Sequence, residues 1–169
     1  LDVCLLDHLP RLLDAGHREG IYIVGEPAPH LFAGRERVAG IDAALMAAGV
    51  RLAGILDCEW WPAPAHAAVQ ELLHSGGRPR AFICLNDRIA LGAYEALTEA
   101  GIRLPDDLSV VSFDDSFLAG WLRPALTSIA LPHADMGKLA VDLLINGDGA
   151  GEHRVGMPVH RRESVTSPK

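Results

Sequence analysis

The chain has 169 residues, 49% of them apolar and 22% charged, with a formal net charge of −7. That is enough chain for one domain with a sizeable core, or for part of a larger one. No apolar run approaches the ~20 residues of a membrane span, and the acidic balance argues against a phosphate-binding surface of clustered Lys and Arg. The opening residues, LDVCLLDHLP, carry acids and no basic leader, so no signal peptide is expected, and the lack of an initiator Met suggests a trimmed chain or a piece of a longer protein.

In chain order, residues 3–15 read as a helix interrupted by Pro10. An interior proline costs ~3 kcal/mol, so a kink or a start near His8 is expected. Residues 21–25 form an apolar strand candidate. Residues 35–48 then place Val38, Ile41, Ala44, Leu45 and Ala48 on one helical stripe that Gly49 terminates. A second strand at 54–57 leads past Pro62 and Pro64 into a helix at 66–74, which buries Val69, Leu72 and Leu73. The third strand, 81–85, runs into a helix at 87–100 with Ile89, Ala90, Ala93, Tyr94 and Leu97 inward and Gly101 as its C-cap. A fourth strand covers 108–113.

These strands are rich in Ile, Val and Leu on both faces, the pattern of a parallel sheet covered on both sides. Repeated strand–helix–strand units mean right-handed crossovers and an open α/β sheet. After residue 113 the pattern changes. A loop leads to a short strand at 126–131 and a helix at 134–146 with Met136, Leu139, Ala140, Leu143 and Leu144 on one stripe, ended by Gly147. RVGMPVHRRESV then supplies one or two strand-like pieces, more crossing back than a simple doubly wound domain requires.

Ligands of an open parallel sheet bind outside the carboxyl ends of its strands, so the residues just after each strand are informative. A loop leads from the first strand to Arg35 and Arg37; Glu59, Trp60 and Trp61 come after the second, Asn86 and Asp87 after the third, Asp114 and Asp115 after the fourth. Carboxylate, amide and guanidinium groups match vicinal hydroxyls, and an aromatic face stacks on the apolar side of a sugar. The set suits a carbohydrate or nucleoside. Each residue also has a plainer role. Asn86 is a good N-cap, a role preferred outright for Asp87; Asp114 and Asp115 suit a solvated turn; Arg37 has Glu36 beside it; one tryptophan suits core or lid packing. Recurrence at four strand ends favours the ligand reading.

Catalysis finds little support. There is no G-x-S-x-G, G-x-G-x-x-G or P-loop, and the eight histidines show no metal-binding spacing. Asp114 and Asp115 would suit Mg²⁺ as in phosphatase-like enzymes, but no partner Lys or Thr motif accompanies them. No catalytic residue, metal or cofactor is expected. Cys4, Cys58 and Cys84 lie far apart without a C-x-x-C, which predicts reduced thiols in a cytoplasmic protein.

The stretches PRAFICLNDRIALGAYEALTEAGIRLPDDLSVVSFDD and RPALTSIALPHADMGKLAVDLL resemble the effector-binding domain of the LacI/GalR family of bacterial transcription regulators. LLDAGHREGIYIVG, RERVAG and HRRESV extend the resemblance over nearly the whole chain, and ordered motifs with matching spacing are more specific than any one alone. The resemblance implies a periplasmic-binding-protein-like fold, type I, of two α/β subdomains with a small molecule between them. It implies that residues 1–125 are the C-terminal subdomain, that 126–150 are a crossover strand and helix of a mostly absent N-terminal subdomain, and that 151–169 return. By the same resemblance Arg37 of R-x-x-G, Asn86 of N-D and Asp114 of F-D-D contact the effector, and Trp60 is the stacking aromatic.

Ser112 and Ala65 stand where the family usually has glycine, and the Pro62/Pro64 pair suggests an altered loop beside Trp60, which leaves the effector's identity open. The resemblance also implies a homodimer, with Leu91 and Leu122 as interface candidates. DNA would be reached only through a helix-turn-helix headpiece that this chain lacks, and no membrane is involved. The stripe at 134–146 is expected to lack its usual cover. The main alternative is a periplasmic sugar-binding protein of a transport system; an α/β hydrolase or phosphatase is a weaker one.

Overall fold

The computed structural model describes residues 10–25, 32–147, 151 and 153–168. Strands β1 (Ile21–Val24), β2 (Gly54–Leu56), β3 (Ala81–Cys84), β4 (Ser109–Asp114) and β5 (Thr127–Ala130) run parallel in the order β2-β1-β3-β4-β5. A short β6 (Val159–His160) pairs antiparallel with β5 and closes that edge. Helices α1 (Pro10–Asp14), α2 (Phe32–Ala47), α3 (Pro62–His74), α4 (Asp87–Glu99), α5 (Phe117–Trp121) and α6 (His133–Asn146) connect and cover them. The open, mainly parallel α/β sheet expected from the periodicity is the fold observed.

Burial follows position in the sheet. Every residue of β3 is buried, as are five of the six in β4, so both faces of the sheet are covered there. β2 lies at the edge, and Ile55 on it is 40% exposed, so its apolar run does not mean two-sided cover. Ile41, Ala44 and Leu45 of α2 and Ile89, Ala90, Ala93 and Leu97 of α4 fill the core beside Phe82 and Phe113.

Three boundaries differ instructively from the sequence reading. Residues 3–9 of the expected first helix, and Cys4 with them, lie outside the described residues; the rest is helical from Pro10 to Asp14. Helix α3 starts at Pro62, not at 66, with Trp61 extended before it (φ −128°, ψ 157°). Proline is preorganised for a first helical position, where its missing N–H costs nothing. The third difference concerns residues 126–150, grouped in the sequence reading with an absent subdomain. Their strand belongs instead to this sheet: β5 pairs with β4 from Thr127 opposite Val111 to Ala130 opposite Asp114. Leu126, Thr127 and Ser128 are buried there, so the strand completes this core. Helix α6 behaves otherwise. It has no buried residue, and Met136, Val141, Leu144 and Ile145 are all exposed.

One contact positions the site. Helix α3 packs against α4 at Gly92, where a Cβ would lie 2.0 Å from the carbonyl oxygen of Pro62. Only a residue without a side chain lets the two backbones approach so closely. The contact brings Trp60 and Trp61, just before Pro62, to the N-terminus of α4. Among the described residues, no helix is long and apolar enough to cross a membrane.

Candidate functional site

The chain leaves β3 at Cys84 and reaches Asn86 in an extended conformation (φ −157°, ψ 172°). The Asn86 side-chain oxygen accepts the Ile89 N–H at 2.8 Å, which makes Asn86 the N-cap of α4. Its amide NH₂ is the other polar group of the side chain. The cap role preferred for Asp87 therefore falls to its neighbour. Asp87 lies in the first turn, 1% exposed, and turns inward. Its Oδ1 accepts hydroxyl hydrogens from Ser112 at 2.5 Å and Ser128 at 2.8 Å, and its Oδ2 accepts the Ser116 N–H at 2.6 Å. The sequence reading missed this network. Its signal was there: Ser112 and Ser128 are hydroxyl residues set in apolar strands, and a fully buried hydroxyl needs a partner.

Asp114 ends β4 with φ 97°, and Asp115 follows with φ 49°. Positive φ in non-glycine residues costs on the order of 1–3 kcal/mol each and needs support from its surroundings. The Asp114 Oδ1 pairs with Arg37 Nη2 at 3.2 Å. Arg37 is fixed on three further sides: Nη1 donates a short hydrogen bond to the Leu85 carbonyl, and the guanidinium carbon lies 5.4 Å from the Trp60 ring and 5.0 Å from that of Phe113. Burial holds the guanidinium below its ordinary pKa, with Asp114 pulling it back up. Burial likewise pushes the Asp114 carboxyl above its ordinary value, and Arg37 pulls it partway down. Asp115 is not a solvated turn residue. Its carboxylate meets Arg162 at 2.7 Å and also pairs with His160, tying the post-β4 turn to the β6 segment.

Trp60, Trp61, Asn86, Asp114, Leu131 and His133 line an open cleft of about 680 Å³ at this edge. Three of the four expected site residues thus face one space, and Arg37 stands behind Asp114 and under Trp60. Among the described residues, the buried indole N–H of Trp60 has no partner. Trp61 is mostly exposed and carries the Arg88 guanidinium 4.8 Å from its ring. Chemically the cleft offers a carboxylate oxygen, an amide NH₂ and an aromatic face, a set that grips neighbouring hydroxyls and stacks on an apolar ring face. The two interface candidates are both half-buried: Leu91 on α4, and Leu122 against the core. The exposed apolar side chains nearby are Phe117 and Trp121 of α5, 76% and 78% exposed.

The periplasmic binding protein-like domain, as a family model, matches residues 9–165. The ribose operon repressor of Haemophilus influenzae is 37% identical over 141 residues, 79% of this chain and 40% of that protein. The HTH-type transcriptional regulator AscG of Escherichia coli is 33% identical over 165 residues, 93% of this chain and 48% of that protein. A dimeric Lac repressor with an 11-residue C-terminal deletion matches with a TM-score of 0.89 at 27% identity, over 99% of this chain and 62% of that one. The chain spans less than half the length of these two curated relatives.

Proposed function

The chain belongs to the periplasmic-binding-protein-like domain family, in its LacI/GalR regulator branch, and on that premise we propose that it is the effector-sensing part of a DNA-binding transcription regulator. The effector is a sugar-like small molecule, a sugar or a nucleoside. It is held by Asp114, Asn86 and Arg37 with Trp60 stacked beside it. The observation that carries this reading is the Arg37–Asp114 pair, set under an aromatic ring at the carboxyl ends of parallel strands.

Residues 1–125 with β5 form most of one subdomain, and 151–169 return to it. Helix α6 packs on a second subdomain, which supplies the other wall of the cleft. An effector that fits one relative placement of the subdomains better than another shifts that equilibrium by its difference in affinity, and this is all that control of a DNA-binding headpiece requires. The headpiece is the only part that touches DNA; the net charge of −7 suits that division of labour. The working form is a cytoplasmic homodimer joined through α4 and α5, with Leu91 and Leu122 beside the exposed Phe117 and Trp121. The protein is no enzyme. A transport role is disfavoured because the two curated relatives are named as transcriptional regulators.

The test is a thermal-shift screen of sugars and nucleosides on the intact protein, followed by titration of Asp114→Ala. A hit whose affinity drops at least tenfold in the variant supports the reading, since a lost charged hydrogen bond is worth about 1.5–3 kcal/mol. A hit that binds the variant unchanged removes Asp114 from the site.

A further inference from the structure

We propose that Asp87 is a positioning residue for effector binding: its buried carboxylate ties down the Asp114–Asp115 turn and so presets Asp114 against Arg37. The inference rests on the reading that Asp114 contacts the effector.

Both oxygens of Asp87 are in use, and the donors come from different parts of the chain. Ser112 lies in β4, Ser128 in β5, and the Ser116 N–H in the turn between β4 and α5. Among the described residues Asp87 makes no ion pair, so hydrogen bonds alone hold the carboxylate at 1% exposure. Ser128 does a second job. Its oxygen accepts the Asp115 N–H at 3.0 Å while its own hydrogen goes to Asp87. Two consecutive N–H groups of the turn, those of residues 115 and 116, therefore both end on Asp87, one through a hydroxyl and one directly.

The two residues with positive φ, Asp114 and Asp115, lie between the anchor at Ser112 and the anchor at Ser116. Aspartate does not hold φ 97° unaided. With the tether cut, the turn relaxes toward negative φ, and the Asp114 carboxylate leaves its 3.2 Å contact with Arg37. Asp87 itself is held by the helix that Asn86 caps. One side chain of the N-D pair thus starts the helix, while the other uses the helix as a fixed post for the opposite wall of the site.

The experiment uses the intact protein with Ser128→Ala, Ser128→Thr and Ser112→Ala. It reads amide hydrogen exchange at Asp115 and Ser116 against Val110 and Val111 in mid-β4. It also reads the affinity for D-ribose by calorimetry, with Asp114→Asn as reference. In Ser128→Ala the Asp115 and Ser116 amides should exchange about tenfold faster while Val110 and Val111 are unchanged, and D-ribose should bind about tenfold more weakly, the value of one buried hydrogen bond. Ser128→Thr keeps the hydroxyl and should restore both. Ser112→Ala should act in the same direction without perturbing the mid-strand amides. Unchanged exchange at Asp115 and Ser116 overturns the tether. Faster exchange with unchanged D-ribose affinity overturns its role in binding. If instead Asp114→Asn leaves D-ribose affinity unchanged, the reading of the site fails, and the exchange data still decide whether the tether exists.

Discussion

Gly92→Ala probes the contact that places both tryptophans. The added Cβ would lie 2.0 Å from the Pro62 carbonyl oxygen, 2.7 Å from its carbon and 2.9 Å from its Cα. All three are backbone atoms, so no side chain can swing aside. Real Cβ atoms essentially never come closer than 3.0 Å, so the N-terminus of α3 must move away from α4 by about 1 Å (3.0 − 2.0). Overpacking of this kind costs ~1–3 kcal/mol, and alanine in a helix interior returns up to ~1 kcal/mol relative to glycine. A net loss of about 1–2 kcal/mol is expected, which for a chain of this size lowers Tm by ~2–8 °C. Because Pro62 directly follows Trp60 and Trp61, the same shift should alter tryptophan emission and weaken effector binding. Scanning calorimetry and fluorescence on the purified variant measure both effects. A Tm equal to or above that of the parent, with unaltered emission, would refute the close packing of α3 on α4.

Three other outcomes rest on the same geometry. His17 Nε2 lies 3.0 Å from both Ser109 Oγ and the Thr166 carbonyl, and that carbonyl only accepts, so Nε2 bears the hydrogen, while the buried Nδ1 has no partner among the described residues. Burial lowers its pKa below the ordinary 6.5; the unfolded chain therefore takes up the proton first, and stability present above pH 6.5 is lost as pH falls below it. Urea midpoints between neutral and mildly acidic pH should show that loss, and His17→Gln should flatten it. Arg37→Met leaves the Leu85 carbonyl and Asp114 without their donor and should cost about 1–3 kcal/mol in denaturant unfolding; Arg37→Lys, a point charge in place of a fork, should not restore effector binding. Leu144→Glu on α6, at a position 83% exposed, should change the stability of the 169-residue chain by less than about 0.5 kcal/mol, yet destabilise the intact protein if a second subdomain covers that face.

The strands and long helices were legible in the sequence because the switch between apolar runs and helical stripes is dictated by which faces the fold covers. The parts that misled share a cause: they depend on direction rather than on residue type. Asn86 and Asp87 are both good capping residues, and nothing local says which side chain turns back to the helix and which goes inward. Burial of Ser112 and Ser128 decides it, across strands distant in the chain. Pro62 and Pro64 read as an altered loop ahead of a helix at 66, whereas the first serves as a helix start once Trp61 is extended. Strand β5 looked like a departure from the domain, and only pairing with β4 shows that it stays. That Trp60, Asn86 and Asp114 share one edge was legible because parallel sheets deliver their strand ends there. The Arg37–Asp114 distance was not, and of the Asp87 tether only the strand serines were, since both arise from contacts between side chains far apart in sequence.

The most direct test of the central claim is calorimetric titration of the intact protein with D-ribose, D-galactose and adenosine, each repeated on Asp114→Ala. Saturable, one-to-one binding of at least one of them is expected, weakened at least tenfold in the variant. Binding that is indifferent to Asp114→Ala, in a variant that folds normally, would contradict it.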